Sequence, residues 1–158
     1  MSRAALVSAL LICRVAFGAD EGIDYAKDDL KDGLRRATNG NGADVIYDPV
    51  GGAYAELALR SIAWEGRFLV VGFAAGEIPK LPLNLVLLKS CNVLGVFWGS
   101  WITRDPAGHR ANTEQLLTWV ADGKLSSHVH AVYPLSDAAA ALKAIASRKV
   151  MGKVILHP

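Results

Sequence analysis

The sequence predicts an α/β fold, a parallel β-sheet covered by helices, and three observations carry that expectation. Apolar runs begin at residues 44, 67 and 92, so successive starts lie 23 and 25 residues apart, a step that fits strand-helix-strand units. Phe68-Leu69-Val70-Val71 shows no polar alternation, as expected of a strand buried on both faces. The stretches between the runs repeat apolar residues at helical spacing. With 158 residues, 52% of them hydrophobic and 20% charged, the chain has enough apolar surface to offset the entropy of ordering one globular domain.

The elements follow in order. Residues 1–17 hold Arg3 and the apolar run from Ala4 to Ile12, too short to span a bilayer. Ala16-Phe17-Gly18 offers small residues at a cleavage spacing, but Arg14 and Val15 interrupt the approach expected of a secretory signal, which favours a strand or helix opening the domain. Gly22-Ile23-Asp24-Tyr25 reads as a weak strand, and Asp28 to Ala37 as a polar helix ending at Gly40. Asp44 to Asp48 is a strand, followed by the turn Pro49-Val50-Gly51-Gly52. Tyr54, Leu57, Ala58 and Ile62 share a helical face, with Gly66 placed to stop that helix before the strand Arg67 to Gly72. A short helix is expected over Leu83 to Lys89, a strand over Asn92 to Trp98, and a helix over Asn112 to Asp122 that Gly123 stops. His128 to Tyr133 alternates as a strand, Ser136 is placed to cap a helix presenting Ala138, Leu142 and Ile145 on one face, and Lys153 to Leu156 forms the last strand.

Composition removes several function classes. Seventeen basic against fifteen acidic residues leave a net charge of +2, and the basic residues form no stripe suited to a phosphate backbone, so nucleic acid is not an expected partner. Cys13 and Cys91 are too few for a zinc site and form no Cys-x-x-Cys pair, which points to a thiol-reducing compartment, the cytoplasm, and to no metal. His128 and His130 share a strand face with no third ligand near in sequence, so they read as solvent-facing residues. The sequence has no Gly-x-Gly-x-x-Gly loop, no Gly-Lys-Ser or Gly-Lys-Thr loop and no Gly-x-Ser-x-Gly elbow. In a doubly wound sheet ligands settle beyond the carboxyl ends of the strands. Three loops therefore line the expected crevice: Asp48 to Gly52, Gly72 to Gly76 and Val96 to Trp101.

Four segments then carry a resemblance. Gly18-Ala19-Asp20-Glu21-Gly22-Ile23-Asp24-Tyr25, Gly42 to Gly52 (GADVIYDPVGG), Gly66 to Phe73 (GRFLVVGF) and Gly95-Val96-Phe97-Trp98-Gly99 resemble the quinone oxidoreductase branch of the medium-chain dehydrogenase/reductase family, and Gly152-Lys153-Val154-Ile155-Leu156 is similar to its C-terminus. The resemblance covers about residues 18 to 158 in the family's order and spacing. It implies an incomplete Rossmann-like doubly wound sheet and NADPH-dependent reduction of quinones or conjugated carbonyls (enones) without zinc. It divides the chain into an N-terminal apolar segment (1–17), a partial dinucleotide-binding domain (18–135) and a closing helix and strand (136–158) that in the family pack on a catalytic domain.

By position, the resemblance places Tyr25 near the adenosine phosphate end of NADPH, and Pro49 and Val50 beside the cofactor. It places Val71, Gly72, Phe73 and Ala74 along the nicotinamide ribose, and the main chain of Val96, Phe97 and Trp98 at the nicotinamide amide. Arg148 reaches the cofactor from the C-terminal segment. It also implies a homodimer through the edge strand near Leu94 to Phe97. Family members carry a catalytic domain and a glycine-rich phosphate loop after a central first strand, and neither is found in this sequence. Leu6 to Ile12 is the segment able to fill the central position, without a glycine loop. The leading expectation is a truncated quinone or enone reductase, inactive alone. A non-catalytic nucleotide-binding subunit completing a partner's site, and a methyltransferase-like domain, are the alternatives.

Overall fold

The computed structural model describes the main chain of residues 4–6, and residues 18–24, 27–147 and 150–158. They divide into two compact units, Met1–Trp98 and Gly99–Pro158. The first holds a four-stranded, fully parallel sheet in the order β1 (Ala4–Leu6), β2 (Ala43–Asp48), β3 (Ile62–Val70), β4 (Asn92–Gly95). Its connections contain α1 (Leu30–Ala37), α2 (Ala53–Arg60) and α3 (Leu83–Lys89). The architecture is thus the expected α/β class. β1 lies beside β2, where a doubly wound sheet places its first strand, so of the proposed filler Leu6 to Ile12 only Leu6 falls within the described residues there.

One face of this sheet carries the core. Ile46 and Phe68 are register partners, both essentially inaccessible, and they pack with Ala55, Ala58 and Leu59 of α2 and with Ile62 and Cys91. On the other face the register partners Tyr47, Leu69 and Leu94 stand in a row, and Tyr47 and Leu94 are more than 40% exposed. The strict period of two along a strand makes this division, because each register row belongs wholly to one face.

α1 starts at the cap Asp29, whose carboxylate accepts from Asp32 N at 2.9 Å, and buries Leu30 and Leu34. Thr38 caps its C-terminus, and Gly40 N reaches back to Arg35 O at 2.8 Å, as the expected stop at Gly40 requires.

Several elements depart from the sequence-based expectations. Gly22 to Asp24 is irregular, not a strand, and Tyr25 lies outside the described residues. The helix expected to run through Ile62 ends at Arg60, because Ala43 N takes Ser61 O at 3.0 Å and draws the chain into the sheet. β3 accordingly starts at Ile62, five residues before Arg67, and the register skips between Ala43 opposite Ile62 and Val45 opposite Arg67. The surplus residues bulge, with Glu65 at φ 58°, and Gly66 has no room for a Cβ, which would lie 2.6 Å from Ile62 Cγ1. β3 ends at Val70 instead of Gly72, and β4 ends at Gly95 instead of Trp98.

Trp98 opens α4 (Trp98–Arg104), within which the division between the units falls. α5 (Pro106–Ala121) begins six residues before Asn112, since Asp105 caps it and Pro106 occupies its first turn. The second unit also contains a parallel pair, β5 (Val129–Pro134) and β6 (Lys153–His157), joined through α6 (Ala138–Ala146), which packs on both strands. Ser136 sits in a 3-10 turn, Leu135–Asp137, and Asp137 takes the cap position of α6. Ala141 is the buried contact of α6, while Leu142 and Ile145 are more than half exposed.

Candidate functional site at the carboxyl end of the four-stranded sheet

β2 ends in a charged residue that is 3% exposed, Asp48. Its Oδ1 accepts hydrogen bonds from Val50 N and Gly51 N, both at 2.9 Å, so the side chain replaces the ladder partners the main chain loses as it turns. Gly51 and Gly52 follow at φ 67° and 61° and lead into α2. A Cβ on Gly51 would stand 2.9 Å from Phe73 Cδ1, so the turn is shaped around that ring.

The loop after β3 is bonded onto this turn. Val71 N and Gly72 N both point at Asp48 O, at 3.0 and 3.4 Å, Ala74 N bonds Pro49 O at 3.1 Å, and Ala75 N bonds Val50 O at 2.9 Å. Gly52 N returns a bond to Glu77 O at 3.1 Å. A Cβ on Gly72 would lie 3.3 Å from Pro49 O, which is why the two loops can run this close. Val96 N bonds Val70 O at 2.8 Å, carrying the β3–β4 pairing one residue past the strand.

Of the positions singled out in the sequence, the fold thus gathers Pro49, Val50, Val71, Gly72, Ala74 and Val96 into one hydrogen-bonded wall, with Phe73 packed behind Gly51. Phe97 and Trp98 continue from β4 and are 79% and 61% exposed. Tyr25 and Arg148 lie outside the described residues.

The chemistry of the wall follows from where its amides point. Val71, Gly72, Ala74, Ala75 and Val96 all donate to neighbouring main-chain oxygens. A pyrophosphate needs several amides free to converge on it, and this wall spends them internally. What it offers a ligand is a close, apolar, glycine-lined surface and the ends of three strands, which suits a flat ring and its sugar. Asp48 bounds the expected crevice loop, and the pattern Asp-Pro-x-Gly-Gly is a readable signal for a side chain that organises a turn.

The sequence profile of the family described as zinc-binding dehydrogenase matches residues 17–156. The chain is 38% identical over 141 residues to a quinone oxidoreductase-like protein 2 homolog of Nematostella vectensis, covering 89% of this chain and 39% of that protein. It is 36% identical over 146 residues to quinone oxidoreductase-like protein 2 of Rattus norvegicus, covering 91% and 42%. Among solved structures, a quinone oxidoreductase of Pseudomonas syringae superposes with a TM-score of 0.79 at 28% identity, covering 98% of this chain and 48% of that one. The chain spans about two-fifths of the length of the curated relatives it matches. Among the described residues no three His, Cys, Asp or Glu side chains are grouped so as to hold a metal ion. The chain therefore belongs to the zinc-binding dehydrogenase family, in the quinone oxidoreductase branch of the medium-chain dehydrogenase/reductases, and corresponds to the cofactor-binding C-terminal portion of its members.

Proposed function

We propose that this chain forms the nicotinamide-side wall of an NADPH-dependent quinone or enone reductase and is inactive by itself. The observation that carries the reading is the pair of bonded loops, Pro49 to Gly52 and Val71 to Glu77, at the strand ends where doubly wound sheets take their ligands, in a chain of this family. When bound, the nicotinamide would supply a hydride to the acceptor. Pro49, Val50 and the Val71 to Ala74 segment would lie along the nicotinamide ribose, and the main chain of Val96, Phe97 and Trp98 would orient the carboxamide. Tyr25 and Arg148 are proposed at the adenosine and outer edges of the cofactor. No step is assigned to a metal.

The inactivity follows from the amides. With those of the wall already donated and no Gly-x-Gly-x-x-Gly loop in the sequence, the wall itself supplies no grip for the cofactor's pyrophosphate. Purified chain mixed with NADPH and a quinone acceptor is expected to show no oxidation of NADPH above background. Turnover at ordinary enzyme rates, on the order of 1 per second or more, would sink the inactivity clause. A rise in melting temperature with S-adenosylmethionine and none with NADPH would sink the cofactor assignment.

Two features support a multi-part assembly. β4 lies at the edge of the sheet with all four residues exposed, and an uncovered edge strand pairs readily with another. We place a homodimer contact at Leu94 to Phe97. Sedimentation is expected to give a dimer that Leu94→Lys converts to monomer, and a wild-type monomer at every concentration would refute the contact. Residues 136–158, where Leu142 and Ile145 stand exposed, are assigned to packing on a catalytic domain.

A further inference from the structure

At the amino end of the four-stranded sheet, opposite the nicotinamide wall, a cavity of about 140 Å³ opens between α1, α2 and α3. Four cationic side chains line it: Lys31 and Arg35, one turn apart on α1, Arg60 in the last turn of α2, and Lys89 in the last turn of α3. Thr38 and Asn41 also line it. The Thr38 hydroxyl is buried and already committed, donating to Leu34 O at 2.7 Å and accepting from Gly42 N at 3.2 Å.

Among the described residues these cations are not all paired. Arg60 is paired, with Nε and Nη2 at 2.9 and 2.6 Å from Glu56 Oε1. Lys31, Arg35 and Lys89 have no carboxylate partner among the described residues. The C-termini of three helices converge on this end and offset part of the charge, at about half an elementary charge each. Roughly one and a half positive charges remain uncompensated by that reckoning. Three unpaired cations held around one concavity repel one another, and an anion removes that repulsion.

We propose that this cavity binds a phosphate-bearing anion, a phosphomonoester or diphosphate group. The guanidinium fork of Arg35 and the two ammonium groups match the several acceptor oxygens of such a group better than the two of a carboxylate. Size sets the limit, because 140 Å³ falls well below the 300 Å³ or more typical of pockets for drug-sized molecules. The six residues of β2 separate this cavity from the nicotinamide wall by roughly 20 Å at about 3.3 Å per residue, so the site is independent of the proposed function.

The test is calorimetric titration of inorganic pyrophosphate into the full chain at low ionic strength. The expected result is saturable binding at one site, weakened about tenfold or more by Arg35→Gln and by Lys89→Gln, less by Arg35→Lys, and not by Arg110→Gln in the second unit. Basic residues that served only the helix ends would lower stability on substitution and leave pyrophosphate affinity untouched. Lys31 and Arg35 are exposed, so the variants are expected to keep the wild-type circular dichroism spectrum. If Arg35→Gln loses it, Lys31→Gln reads the same loss of affinity. Flotation with phosphatidylcholine vesicles containing phosphatidic acid, abolished by Lys31→Gln, would identify a lipid headgroup as the source of the phosphate. Pyrophosphate binding without flotation would identify a soluble one. Absence of saturable pyrophosphate binding, or binding unchanged in all three Gln variants, overturns the proposal.

Discussion

The two ends of the four-stranded sheet are built by the same connections and have opposite chemistry. At the carboxyl end the chain leaves β2 and β3 through tight loops whose amides bond each other's carbonyls, with Asp48 as the one buried acid among the described residues. At the amino end it enters the strands from the C-termini of α1 and α2, and basic side chains collect around the helix ends. Parallel strands joined by helices enforce this polarity, since every crossover runs the same way. One end therefore collects loops that bond one another, and the other collects helix carbonyls and the cations that complement them. Gly51 at the carboxyl end meets the movable ring of Phe73, whereas Gly42 at the amino end meets main chain.

That contrast can be broken at Gly42. It has φ 81°, and a Cβ there would lie 2.7 Å from Ala63 N and 2.8 Å from Ile62 O. Left-handed strain and a main-chain clash that no rotamer relieves add together, so Gly42→Ala is expected to cost about 2–4 kcal/mol, read as a lowered urea midpoint. An unfolding free energy within about 0.5 kcal/mol of wild type would show the amino end to be as yielding as the carboxyl end.

The smaller effect lies at Asp48. Asp48→Ala leaves the Val50 and Gly51 amides without their acceptor and is expected to cost about 2 kcal/mol, while Asp48→Asn, which keeps one oxygen at the site, should recover most of it. Equal losses in the two variants would mean that charge, not the acceptor atom, holds the turn. Neither substitution touches the cavity between the helices, so pyrophosphate affinity should stay unchanged in both.

Much of this arrangement could be read along the chain. The runs at Asp44 and Asn92 became strands within a residue of their expected starts, and Leu83–Lys89 formed the expected helix, because short apolar blocks and proline-flanked periods are local signals. The loop from Asp48 to Gly52 was legible for the same reason, whereas the loop expected over Val96 to Trp101 is cut short by the helix that starts at Trp98. The start of β3 was not legible. Ile62 continues the helical spacing of Tyr54 and Ala58, and only the bond from Ala43 N to Ser61 O, across eighteen residues, turns the chain into the sheet before that spacing can be used.

What the sequence determined by itself was the class of fold and the identity of its turns, since hydrophobic period and glycine placement act over a few residues. The tertiary structure decided which distant groups share a site. Lys31, Arg35, Arg60 and Lys89 are spread over nearly sixty residues and look scattered in the chain. They meet because the parallel crossovers bring the helices together at the same end of the sheet, and the electrostatic energy of such a cluster depends on distance in space, not on separation along the chain.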